Sequence, residues 1–146
     1  MITPLIMLAL MSAPWVLLRH RAAGAWGLGL LFSFTALGHF VQTEPMAMML
    51  PDFVPARVPL VYATGVLEVA VAVAFFHPRT RRFAGWAAAA MLVLFFPANI
   101  YAAFAQVPMG GHAWGPAYLL IRAPLQAAIL AWVWWFTLRA DGKLRA

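Results

Sequence analysis

Five long apolar stretches divide the chain, and short polar connectors separate them. They cover residues 2–18, 22–42, 58–76, 83–105 and 118–138. A transmembrane helix needs roughly 17 to 25 mostly apolar residues, at about 1.5 Å of rise per residue. The pattern therefore predicts an all-α integral membrane protein, folded as an up-and-down bundle of transmembrane helices.

The first stretch is the shortest, and it contains Pro4 and Pro14. A cleaved signal peptide is the alternative interpretation of this stretch. No basic segment precedes the apolar run, however, and no A-x-A cleavage site follows it. We therefore expect a retained helix.

The composition supports a membrane protein and excludes several other classes. Hydrophobic residues make up 65% of the 146 residues and charged residues 10%, against about half and about a quarter in soluble domains. This length predicts a single domain over residues 1–146. The net charge of +6 comes largely from connectors, and no nucleic-acid-binding motif is present, so nucleic acid is not an expected partner.

The basic residues predict how the bundle is oriented. With five spans, one side of the membrane receives most of the cations, namely Arg19, Arg21, Arg79, Arg81, Arg82, Arg139, Lys143 and Arg145. The opposite side receives Glu44, Asp52 and Arg57, and residues 106–117 carry no formal charge. Because cytoplasmic loops are enriched in Lys and Arg, we expect an outside N-terminus and a cytoplasmic C-terminus in a bacterial-type inner membrane.

The connector between the second and third spans is rich in proline. Pro45, Pro51, Pro55 and Pro59 flank the apolar residues 46–50. Proline at this density prevents a long helix. We expect a short turn at the outer surface of the bilayer.

Polar residues inside the spans form the candidate functional site. They are His39, Glu68, Asn99, Arg122 and Gln126. Counted from the outer ends of the spans, they lie about 5 to 15 Å deep at 1.5 Å per residue. Charged groups at such depth are costly and usually face the bundle interior. Since four helices contribute to one outer-half layer, we call these five residues the polar layer and interpret them as a ligand-binding or structural site.

Local spacing fits both interpretations. Arg122 and Gln126 are four residues apart and share one helical face, while Pro97 and Pro124 can leave backbone carbonyls unbonded near the layer. In the structural interpretation, Glu68 and Arg122 would form a buried ion pair that fixes the register of their helices. Polar amides such as those of Asn99 and Gln126 commonly bond helices together in membranes, and His39 is close enough to water to cap its helix.

No sequence motif identifies a catalyst or a cofactor. The chain lacks the H-x-x-H or E-x-x-H spacing of a metal site, a Gly-rich phosphate loop and paired span histidines for haem. His20, His77 and His112 fall in connectors and receive no predicted role. The chain also has no cysteine, which excludes a dithiol relay supplied by this chain alone.

Several motifs nevertheless occur in the order typical of one family. They are residues 34–40 (FTALGHF), 49–51 (MLP), 62–68 (YATGVLE), 78–82 (PRTRR), 96–100 (FPANI) and 122–126 (RAPLQ). In this order, over about residues 24–135, the chain resembles the DoxX-like membrane proteins. The resemblance implies a four-helix core, to which this chain adds an N-terminal span.

The resemblance also implies two functions. Members of that family are membrane subunits or partners of oxidoreductases, including a quinone-linked enzyme, and others are assembly helpers. The first hypothesis is therefore a quinone- or lipid-binding accessory subunit, in which Arg122, Asn99 or His39 bonds a quinone carbonyl and Glu68 relays a proton. The alternative is a non-enzymatic assembly or stabilising partner of another membrane protein.

Overall fold

A computed structural model describes residues 2–139, and these residues form a helical bundle. The α-helices are α1 (Ile2–Leu18), α2 (Arg21–Val41), α3 (Thr43–Met48), α4 (Arg57–Phe76), α5 (Arg81–Phe104) and α6 (Leu119–Val133). A 3₁₀ helix (His112–Tyr118) precedes α6, and a π-helical turn (Trp134–Leu138) follows it. The described residues contain no strand. The predicted all-α bundle, a four-helix core with an added N-terminal helix, is confirmed.

The chain is an integral membrane protein by the length and apolarity of its helices. Four helical segments are long and apolar enough to cross a bilayer, namely α2, α4, α5 and the segment His112–Leu138. Large apolar side chains such as Leu17, Leu94 and Leu120 point away from the bundle, as lipid-facing residues do. Helix α1 is apolar but has only 17 residues, so its crossing stays a prediction.

The proline-rich connector contains one short helix where the sequence predicts only a turn. Helix α3 has six residues, and Pro45 occupies its first turn, where a missing backbone N–H costs no helical bond. The segment that follows is irregular until Ala56, whose positive φ of 52° precedes α4. Arg57 then binds Asp52 at 2.8 Å and donates to the Leu50 carbonyl at 3.3 Å. These two bonds tie the connector to the first residue of α4.

The basic end of the bundle is braced by bonds between separate helices. Arg21 at the start of α2 donates to the carbonyl of Trp135 at 2.8 Å, and the Trp132 indole donates to the carbonyl of Gly24 at 3.1 Å. Arg81 similarly bonds the Phe75 carbonyl at the end of α4 at 3.1 Å. The carbonyls of Trp135 and Phe75 lie in the last turns of their helices, where carbonyls lack an intrahelical donor. We call them the basic-end braces.

Helix α1 packs against α2 at a point that requires glycine. A Cβ atom on Gly27 would lie 1.9 Å from the carbonyl oxygen of Met11. Further along α1, Trp15 meets the rings of Trp132 and Phe136 edge to face, at centroid distances of 6.0 Å. Helix α1 is therefore part of the packed bundle.

The cations that predict orientation are only partly described. Arg19, Arg21, Arg79, Arg81, Arg82 and Arg139 lie at one end of the helices. Lys143 and Arg145 lie outside the described residues. The direction of the bundle in the membrane is treated below as a proposal.

Candidate functional site

The polar layer consists of two groups of contacting residues. One group joins α2 and α4 through His39 and Glu68, and the other joins α5 and α6 through Asn99, Arg122 and Gln126. Glu68, Asn99 and Gln126 are buried, each at 6 or 7% exposure. The structure thus brings all five predicted residues into contacts between helices.

Glu68 and His39 are close, but they do not form a strong hydrogen bond. His39 Nδ1 lies 3.7 Å from Glu68 Oε2 and 3.1 Å from the carbonyl of Thr35. Because a carbonyl only accepts, the shorter contact assigns the Nδ1 hydrogen to Thr35, and 3.7 Å is too long for a hydrogen bond to Glu68. Glu68 Oε2 is consequently buried without a hydrogen-bond partner.

A glycine allows this contact between α2 and α4. A Cβ atom on Gly65 would lie 2.7 Å from the Cβ of His39 and 3.1 Å from the ring of Phe40. Real side chains do not approach so closely, so any larger residue at 65 would separate the two helices. Gly65 thereby sets the distance between His39 and Glu68, which lies one turn further along α4.

Arg122 binds Asn99, and both polar groups of the Asn99 amide are used inside the protein. Arg122 Nε donates to Asn99 Oδ1 at 3.0 Å, and Asn99 Nδ2 donates to the carbonyl of Phe95 at 3.0 Å. Asn99 therefore joins α5 to α6. A second guanidinium nitrogen, Arg122 Nη1, is buried without a partner.

Arg122 and Glu68 interact electrostatically but not by direct contact. Each lies within range of the other's charge, yet no salt bridge joins them within residues 2–139. The direct ion pair considered from the sequence is replaced by two separate contacts, Glu68 with His39 and Arg122 with Asn99.

Gln126 bonds α6 to α5 near the proline of α5. Its side-chain nitrogen donates to the carbonyl of Leu92. Pro97 has no N–H, so it leaves the neighbouring carbonyl of Val93 without its helical donor. The amide is oriented by this bond, because only its nitrogen can donate to a carbonyl. Gln126 Oε1 is left buried without a partner.

His112, which the sequence analysis assigned no role, lies beside the polar layer. It is 6% exposed, and its ring meets that of Tyr118 edge to face at 4.9 Å. Its Nδ1 contacts the carbonyl of Met109 at 2.9 Å, and its Nε2 is buried without a partner. The ring also lies within range of the Arg122 charge. The sequence signal was weak: a histidine after two glycines, six residues before the last long apolar run.

A surface depression lies elsewhere on the molecule. Its volume is about 340 Å³, and it is lined by residues of the proline-rich connector and the start of α4, including Glu44, Met48 and Arg57. None of the polar-layer residues lines it. The polar layer is thus a buried set of groups and is separate from this depression.

One family model matches the chain, over residues 28–137, which is about three quarters of its length. Its description is "Domain of unknown function (DUF8561)". The chain belongs to this family. The DUF8561 region contains α3 to α6, most of α2 and the entire polar layer, and it begins after α1. No curated protein matches the chain. No solved structure matches it either.

Proposed function

We propose that this chain is a DoxX-like accessory subunit of a membrane oxidoreductase system, in which the polar layer binds the polar head of a small hydrophobic ligand, a quinone or a lipid. One observation carries the proposal: Glu68 Oε2, Arg122 Nη1, Gln126 Oε1 and His112 Nε2 are all buried without hydrogen-bond partners. Most buried polar groups in proteins are hydrogen-bonded, and leaving one unpaired costs about 1 to 3 kcal/mol. A ligand with polar groups at one end supplies such partners.

The residues present fit a quinone. Arg122 Nη1 offers a hydrogen-bond donor to a ring carbonyl, and Glu68 and His39 offer groups that can take up a proton beside it. Asn99 Nδ2 and Oδ1 each already make one bond, to Phe95 and from Arg122, and each can make one more. A bound quinone would supply two-electron redox chemistry to a partner. This chain's own residues would hold the head group, exclude water and accept or return a proton at Glu68.

Ligand retention tests this proposal. We expect purification in a mild detergent, followed by mass spectrometry, to show a quinone or another polar-headed hydrophobic molecule with the wild-type protein. Arg122→Gln should reduce the ligand per folded protein about tenfold or more, since the charge-assisted bond from Arg122 Nη1 to a carbonyl is worth about 1.5 to 3 kcal/mol. Arg82→Gln is the matched control, because it removes an exposed guanidinium at the basic end. Wild-type protein that carries only bulk phospholipid would contradict the proposal.

The alternative function, a non-enzymatic assembly partner, is favoured by a different observation. Asn99 and Gln126 donate only to groups of this chain and bond α5 to α6. In this alternative the polar layer serves the fold. Asn99→Ala and His39→Ala should then lower the melting temperature in detergent, and the folded fraction should keep all its ligand and activity. Loss of ligand from His39→Ala protein that melts normally would exclude this alternative.

We also propose that the N-terminus lies outside an inner-type membrane and the C-terminus in the cytoplasm, with α1 as a fifth span. The cations at one end of the bundle, six of them within residues 2–139, support this orientation. A reporter enzyme that works only in the cytoplasm should be active when it is fused to the C-terminus. A reporter that works only in the periplasm should be inactive there. Fusions in the 105–111 loop should give the reverse pattern. Periplasmic activity at the C-terminus would refute the orientation.

A further inference from the structure

The surface depression at the proline-rich connector is lined by two groups of opposite charge. Its volume of about 340 Å³ lies at the small end of the range for ligand pockets, roughly 300 to 1,000 Å³. Glu44 and Arg57 supply the charges, and Met48, Val58 and Pro59 are among the apolar lining residues. No ion pair joins Glu44 to Arg57 within residues 2–139. The depression therefore offers both a negative and a positive group to one ligand.

Arg57 is anchored through only one of its three guanidinium nitrogens. Nη1 donates to Asp52 Oδ1 at 2.8 Å and to the carbonyl of Leu50 at 3.3 Å. Nε and Nη2 make no hydrogen bond within the described residues, and the side chain is 35% exposed. Nε and Nη2 form a planar edge that can bind a phosphate or a carboxylate through two parallel bonds. The guanidinium is therefore held in place with an edge left for an anion.

Glu44 is exposed, and it makes no ion pair or hydrogen bond with residues 2–139. An ionised carboxylate only accepts hydrogen bonds, so it favours a ligand group that has N–H donors and a positive charge, such as a primary ammonium. Asp52 already offsets part of the Arg57 charge. The two carboxylates outnumber the one guanidinium around this depression, which disfavours a ligand that is only anionic.

The depression lies at the level of lipid head groups. Arg57 is the first residue of α4, which is long and apolar enough to cross a bilayer, and Phe75 of the basic-end braces lies near the other end of that helix. The ends of a transmembrane helix lie in the head-group region. Leu60 and Tyr62 follow on α4 and are exposed, as side chains that contact acyl chains are.

We infer that this depression binds the phosphoethanolamine head of a membrane phospholipid, with the phosphate on the Nε–Nη2 edge of Arg57 and the ammonium on the Glu44 carboxylate. The head group has one anion and one primary ammonium, which match the two charged lining residues. A choline head group keeps the phosphate, but its trimethylammonium has no N–H donor. A phosphoglycerol head group has no cation. None of the polar-layer residues lines the depression, so the inference does not depend on the proposed function.

Competition among three phospholipids tests the inference on the full chain. The protein is depleted of lipid in detergent and offered equal amounts of dioleoyl phosphatidylethanolamine, phosphatidylcholine and phosphatidylglycerol, and the bound lipids are counted by native mass spectrometry. We expect about fivefold more bound phosphatidylethanolamine than either other lipid, which is the upper range for one exposed charged contact. Equal or greater retention of either other lipid overturns the inference, and so does the absence of any bound lipid.

Changes at Glu44 locate the preference in the depression. Glu44→Gln should bring the ratio of bound phosphatidylethanolamine to phosphatidylcholine close to one, because the ammonium loses its carboxylate while the phosphate keeps Arg57. Glu44→Asp keeps the carboxylate and should keep most of the preference. Arg82→Gln is the control, because it removes an exposed charge at the opposite end of the bundle and should not alter the ratio. An undiminished ratio in Glu44→Gln, or an equal loss in Arg82→Gln, overturns the inference.

A soluble probe separates a membrane lipid from a free zwitterion. Glycerophosphoethanolamine carries the same charged groups as the lipid but has no acyl chains. It should displace little of the bound phosphatidylethanolamine at equal concentration, since it lacks the apolar contacts of the lipid. Displacement of half or more would assign the depression to a soluble zwitterion and overturn the lipid assignment.

Discussion

Arg122→Gln should lower the free energy of unfolding by about 3 kcal/mol, which is among the largest losses expected from one substitution in this chain. The change removes the donor to Asn99 Oδ1, and it also removes a cation whose charge reaches both Glu68 and His112. Glu68→Gln should be costly for the related reason that it leaves the buried guanidinium without its counter-charge. The double variant should lose less than the sum of the two single losses, by about 0.5 to 3 kcal/mol, because a lone buried charge costs more than none.

Unfolding in mixed micelles, followed by circular dichroism, measures these losses. Glu44→Gln and Arg82→Gln form a matched pair of exposed changes, one in α3 and one at the start of α5. Each should alter stability by less than about 0.5 kcal/mol, and their effects should add. If the losses from Glu68→Gln and Arg122→Gln also add, the two charges are not coupled across the bundle.

Gly65→Ala should destabilise the bundle by about 1 to 3 kcal/mol, and Gly65→Leu by more, because the new side chain overlaps His39 and Phe40. The overlap is with the Cβ of His39, which cannot move without a shift of α2. The same substitution should increase the distance between His39 and Glu68. Thermal unfolding in detergent measures the first effect, and ligand retention at a temperature where the variant is folded measures the second.

Gly38→Ala is the matched control for this change. Gly38 is also a helical glycine, but an added Cβ would meet only the terminal methyl group of Met46, at 3.1 Å. That flexible end can move aside, and alanine favours the helix by up to about 1 kcal/mol. Gly38→Ala should therefore be neutral or stabilising. A Gly65→Ala variant as stable as the wild type would show that α2 and α4 are not held at this distance.

The sequence predicted most helix positions, because the long apolar runs end at basic residues or prolines. The predicted stretches 22–42, 58–76 and 83–105 correspond to α2, α4 and α5 within two residues at each end. Basic or proline-containing connectors set those boundaries. The sequence did not predict the six-residue α3 or the π-helical turn after Val133. The π-helical turn is held against α2, a distant element of the chain, by the bond from Arg21 to the carbonyl of Trp135.

The candidate site was predicted less completely, for a geometric reason. Depth along a helix follows from residue number, so the five polar residues could be assigned to one layer. The rotation of each helix about its own axis does not follow from residue number. An error of about 100° in that rotation brings a different side chain to face the neighbouring helix. Glu68 therefore lies beside His39, and Arg122 bonds Asn99, where the sequence suggested an ion pair between Glu68 and Arg122. His112 was missed because its burial depends on how the 105–111 loop folds back over Tyr118.

The basic-end braces hold the helices together near one end of the bundle. Its helices are joined near one end by side chains that bond carbonyls of other helices, from Arg21 to Trp135, Trp132 to Gly24 and Arg81 to Phe75. Around the polar layer, near the other end, four buried polar atoms lack partners. The contacts of the polar layer instead join α2 to α4 and α5 to α6, as two separate helix pairs. Under the proposed function, the route of a bilayer ligand to Arg122 would lie between these two pairs, at the end away from the basic-end braces.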